Sequence, residues 1–118
     1  MGMRALILGT AAAMLAACAA PAANTSVNTT QSQIEDGREI AEAQCARCHA
    51  VGLYGDSPVS AAPRFRTVLS RYRADVLKEE LIQGIRVTHP MPDFQLNPQG
   101  VDALIAYLHS IQQPAPRR

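Results

Sequence analysis

Cys45-Ala46-Arg47-Cys48-His49 places two thiols and an imidazole within five consecutive residues. Few patterns restrict a chain more, because three reactive side chains so close together must share one turn of backbone. Two ordinary readings fail on the rest of the sequence. A redox-active dithiol of this spacing belongs beside a βαβ pattern, and no stretch shows sustained period-two alternation. A structural zinc site needs a fourth cysteine or a second paired histidine, and none is suitably spaced.

The same five residues fit covalent haem attachment. Each thiol adds to one vinyl group, giving two thioethers. A two-residue spacer sets both sulfurs along one edge of the macrocycle. The histidine directly after the second cysteine then lies under the iron. The spacing therefore points to one haem c held through Cys45 and Cys48, with His49 as proximal ligand.

Composition agrees that something must complete the core. The chain has 118 residues, enough for one domain. Hydrophobic residues reach 47%, but aromatics only 4%, and Trp is absent. Much of the apolar content is alanine, concentrated in the first 23 residues. The folding domain is thus about 80 residues, a size that usually needs a staple. Haem would be that staple, and the apo form is expected to lack stable tertiary structure. Residues 18–118 hold ten basic and ten acidic residues. No charged tail points to nucleic acid, and no phosphate-loop, HExxH or GxSxG pattern is present. Three cysteines, two of them within four residues, do not form a disulfide framework.

The N-terminus reads as an address. Arg4 precedes thirteen uncharged residues, Ala5 to Ala17. That run is shorter than the ~20 residues of a membrane-spanning helix and has the length of a signal peptide. Its end, Leu15-Ala16-Ala17-Cys18, resembles the bacterial lipobox. Residues 1–17 are then a signal peptide and Cys18 the lipidated first residue, since several acyl chains give stable attachment where one does not. Cleavage after Ala22 or Ala23 would instead release a soluble periplasmic protein, and an uncleaved segment would be a weak anchor. All three readings put the domain outside the cytoplasm and keep Cys18 out of the site. Residues 18–31 are small and polar and read as a flexible tether. The domain spans 32–113. Residues 114–118, with two prolines, read as a disordered tail.

Within the domain the pattern is all-α. Ser32-Gln33-Ile34-Glu35 has capping-box spacing and predicts a helix over 33–44. Residues 50–63 hold two Gly and two Pro and read as loop. A short helix over 65–71 and a longer one over 74–83 follow, with Gly84 as the terminator. Asn97 and Pro98 open the last helix. Val101, Leu104, Ile105, Leu108 and Ile111 mark its apolar face.

Met91 is the only methionine after the leader, and Pro90 and Pro92 flank it. A thioether is a soft, neutral ligand for haem iron, and the prolines limit the backbone entropy lost in holding it. His89 is the rival ligand, two residues earlier.

Taken together, residues 32–113 resemble the class I c-type cytochromes. The resemblance rests on a helix leading into CxxCH, a proline about a dozen residues later, and a Met-Pro loop before an amphipathic last helix. Gly37, eight residues before Cys45, stands where that family has a glycine for close helix crossing; Leu104 and Tyr107 match its partner positions. Ala41 replaces a common aromatic. The resemblance implies a small fold of about four short helices around one haem, with Met91 as distal ligand. It also implies a proline carbonyl accepting the free N–H of His49, from Pro63 or, alternatively, Pro58. Phe65 and Tyr72 are expected in the haem pocket. Arg64, Arg66, Arg71, Arg73 and Lys78 are candidates for propionate contacts, for a docking face, or for a plain solvated surface.

Six-coordinate haem leaves no open position for substrate. The expected function is one-electron transfer between redox proteins by a monomeric, membrane-tethered carrier on the periplasmic side, not catalysis. Two alternatives remain. One is a dedicated haem subunit of a periplasmic dehydrogenase or oxidase complex. The other is a gas or redox sensor in which Met91 dissociates.

Overall fold

The computed structural model describes residues 23–86, 91–92 and 95–114. The signal segment with Cys18, the His89-Pro90 pair and residues 115–118 lie outside them. Among the described residues there are three α-helices, α1 (Ala23–Ile40), α2 (Ala74–Gln83) and α3 (Pro98–Ile111). A 3-10 helix covers Phe65–Ser70, and α1 runs into a widened π turn over Ala41–Cys45. No strand occurs among these residues, and the architecture is all-α.

The fold is organised by the crossing of α1 and α3, the most extensive helix contact. Gly37 makes it possible. A Cβ built there would lie 2.0 Å from the Ala103 carbonyl oxygen and 2.8 Å from the Cβ of Tyr107. A glycine inside a helix costs about 1 kcal/mol relative to alanine. Here that cost admits an approach between backbones that any side chain would block. Ala41, fully buried one turn later, keeps the same seam narrow.

The start of α3 follows its sequence signal. Asn97 is extended, and its side chain accepts from the Gly100 amide at 2.7 Å, with Pro98 in the first helical position. The buried face is wider than the predicted stripe. Ala103 and Tyr107 are buried beside Val101, Leu104, Leu108 and Ile111, while Ile105 is only partly covered. Two neighbours explain the width: α1 crosses on the Ala103–Tyr107 side, and the cavity described below lies against Leu104 and Leu108. Helix α2 runs over the predicted residues. Gly84 ends it at φ 100°, ψ 109°, a conformation that disfavours other residues.

The N-terminal half of α1 departs from expectation. Residues 23–31 are helical rather than a flexible tether, and Ser32 lies inside the helix instead of capping it. No glycine or proline interrupts the chain between Ala22 and Gly37. Once the packed C-terminal half nucleates the helix, extending it through Thr, Asn and Ser costs only tenths of a kcal/mol per residue. Positions 29–33 are all exposed.

Candidate functional site

The site begins where α1 ends. The π turn inserts one residue per turn relative to an α-helix, a distortion common at functional sites. It delivers Cys45 to the interior, 8% exposed. The chain then folds back on itself: the Cys48 and His49 amides both donate to the Cys45 carbonyl, at 3.1 and 2.9 Å. This tight winding brings both thiols and the imidazole to the wall of a single cavity. No disulfide joins the two cysteines. Burial, with a smaller effect from neighbouring Cys48, pushes the Cys45 thiol up to about 11.

His49 is buried, at 7% exposure. Its Nδ1 lies 2.7 Å from the Pro63 carbonyl oxygen. A carbonyl only accepts, so Nδ1 carries the proton and Nε2 keeps its lone pair. Of the two prolines open from sequence, it is thus Pro63 whose carbonyl meets the histidine. The loop between is tied back at several points. Ala50 N donates to Ser57 Oγ at 3.0 Å, Val59 N to the Cys48 carbonyl at 3.2 Å, and Phe65 N to the Ala50 carbonyl at 3.0 Å. Phe65 packs its ring on His49, centroids 5.1 Å apart and tilted by 48°.

The cavity has a volume of about 260 Å³. One water needs only about 10–15 Å³ on this measure, so the space is no packing defect. Phe65, Val68, Leu77, Leu81, Leu104 and Leu108 supply most of an apolar lining. Water gains little there, and a large apolar ring gains much. Met91 and Pro92 close another part of the same lining, so a thioether and an imidazole both face the space. Tyr72 borders it while remaining 40% exposed. A cavity of apolar walls, two thiols, one oriented imidazole and one thioether fits haem c in donor chemistry.

The basic cluster is placed differently. None of Arg64, Arg66, Arg71, Arg73 and Lys78 lines this cavity. Arg64 pairs with Asp56 at 2.9 Å, Arg73 with Asp75 at 2.7 Å, and Lys78 with Asp102 across α2 and α3. Arg66 keeps a buried Nη1 without a hydrogen-bond partner among the described residues. The cation on the cavity lining is Arg47, from inside the CxxCH turn, with Gln44 beside it. Neither was singled out from sequence, where nothing distinguishes them from solvated spacers.

Residues 32–108 match the protein family described as cytochrome C oxidase, cbb3-type, subunit III. The chain belongs to this family of c-type cytochromes. Its chemistry is therefore haem-based electron transfer. No curated protein and no solved structure matches the chain.

Proposed function

We propose that this c-type cytochrome is a one-electron carrier with a single haem c, fixed through thioethers at Cys45 and Cys48. His49 Nε2 and Met91 Sδ would hold its iron. The observation that carries the reading is the pairing of His49 Nδ1 with the Pro63 carbonyl while Met91 lies on the same cavity. The haem iron, when bound, supplies the Fe(III)/Fe(II) couple. The chain's residues do the rest. Pro63 fixes the tautomer and orientation of His49. The apolar lining excludes water and keeps reorganisation small. Met91, a neutral soft donor, favours the reduced state and hence a relatively high potential.

The carrier works outside the cytoplasm, attached to the periplasmic side of a bacterial membrane by lipid on Cys18. The Leu-Ala-Ala-Cys sequence supports this placement. Helical residues 23–31 then make the link between anchor and domain a rod in part, rather than a loose chain. Its partners are redox proteins. The family description, a subunit of an oxidase, favours a second reading in which this chain is the dedicated haem subunit of a membrane enzyme. Purification in mild detergent separates the two: a catalytic chain that co-purifies in fixed ratio supports the subunit, and a lone cytochrome supports the carrier.

The ligand assignment is tested by absorption spectra of the oxidised holoprotein. Wild type should show the weak long-wavelength band of sulfur bound to ferric iron, and Met91→Ala should lose it. A band that survives Met91→Ala refutes the assignment. Mass spectrometry of the N-terminal peptide tests lipidation of Cys18.

A further inference from the structure

Beyond α3 the side chain of Gln112 makes three hydrogen bonds, all to backbone. Its Nε2 donates to the Phe65 carbonyl at 2.8 Å and to the Leu108 carbonyl at 2.9 Å. Its Oε1 accepts from the Leu69 amide at 3.1 Å. Both amide protons and the carbonyl are used, so no other side chain of this size could replace it. Leu108 O is one of the carbonyls that the end of a helix leaves without a partner. Phe65 O and Leu69 N belong to the 3-10 helix. A single half-buried amide therefore fastens the 3-10 helix to the end of α3. The next residue adds a backbone bond, Gln113 N to the Arg66 carbonyl at 2.7 Å.

That 3-10 helix is what His49 rests on. Pro63, two residues before it, accepts from Nδ1. Phe65, its first residue, packs on the imidazole and reaches back to Ala50. Fastening Phe65 O thus fixes the height of the Pro63 carbonyl relative to the ring.

We propose that Gln112 is a positioning residue for the axial histidine: by locking the 3-10 helix to α3 it keeps Pro63 O on His49 Nδ1, and so holds down the reduction potential. The inference rests on His49 being the proximal ligand. A strong hydrogen bond at Nδ1 makes the imidazole a better donor, which stabilises ferric iron. Releasing the bond favours ferrous iron and raises the potential. General loosening acts in the opposite sense, since water entering an apolar site stabilises the more highly charged ferric centre. The direction of the shift separates positioning from mere structure.

The experiment uses the holoprotein. Gln112→Met keeps the volume and removes all three bonds. The expected result is a higher midpoint potential and His49 ring N–H exchange about tenfold faster, as for loss of a buried hydrogen bond. The control Gln113→Met, which keeps its backbone bond to Arg66, should leave both unchanged. A lowered potential, or no change in either quantity, overturns the proposal. If Gln112→Met does not fold, Gln112→Asn, a neutral amide one methylene shorter, cannot span all three partners and should shift both quantities the same way. Wild type alone gives a further arm: the Leu69 amide and the His49 ring N–H should exchange through one shared opening. Clearly different protection contradicts the proposal. The underlying reading has its own signature, ring protons of His49 displaced upfield in the reduced spectrum. If His49 is not a ligand they stay at ordinary positions, whereas the exchange coupling to Leu69 still reports on Gln112.

Discussion

The Cα of Gly37 sits so near Ala103 that a methyl group on it would overlap the Ala103 carbonyl, at 2.0 Å. The obstacle is backbone on a packed helix, which cannot swing aside as a side chain can. Gly37→Ala therefore gains about 1 kcal/mol of helix propensity and loses more by forcing α1 and α3 apart, about 1–3 kcal/mol or beyond. Thermal unfolding should show a lowered Tm. Gly52→Ala is the control, because a Cβ there meets nothing within 4 Å. Equal Tm values for Gly37→Ala and wild type would mean the crossing is not as close as described.

Tyr107 carries a pH dependence. Its hydroxyl donates to the Val51 carbonyl at 2.9 Å, and burial, then nearby Glu42, raises its pKa above the usual 10. The folded state thus holds this proton more tightly than the unfolded chain does. The stability so contributed is full below pH 10 and is lost as pH rises through the folded value. Tyr107→Phe should cost about 0.5–1.5 kcal/mol at neutral pH for the lost bond. Denaturant midpoints measured from pH 8 to 12 should fall less steeply above pH 10 in the variant than in wild type. Parallel profiles would count against a buried, bonded Tyr107.

Asn97 caps α3, so Asn97→Ala should destabilise by about 1 kcal/mol and Asn97→Asp by much less. Urea titrations of both variants measure this directly. A neutral Asn97→Ala would mean that the Asn97–Gly100 bond contributes nothing.

Leu108 and Val101 are the largest fully buried side chains among the described residues. An apolar cavity of about 260 Å³ is lined by several side chains of the core. A Cys45→Ala, Cys48→Ala double variant, prepared without haem, should lack a cooperative thermal transition and should lose near-ultraviolet circular dichroism. A sharp transition in that variant would show that the helices pack without haem.

How far the sequence revealed this site depends on the range of each signal. CxxCH, Asn97-Pro98 and Gly84 act within a few residues, and each appears in the structure where its local pattern puts it. Pro63 could be distinguished from Pro58 only by geometry, because spacing admits either one. The first nine residues of α1 carry no apolar period, and their helicity is inherited from packing further along the chain. Gln112 was invisible for a different reason. Its partners Phe65 and Leu69 lie 47 and 43 residues away and are backbone groups, so no residue type marks them. Arg47 likewise gains meaning only from the cavity it borders.

The central claim is a haem joined covalently to Cys45 and Cys48. Its most direct test is the intact mass of the denatured, acid-extracted protein. The account predicts one haem per chain that survives extraction in wild type and is missing when both cysteines are replaced by serine. A wild-type mass equal to the bare polypeptide, with both thiols open to alkylation, would contradict it.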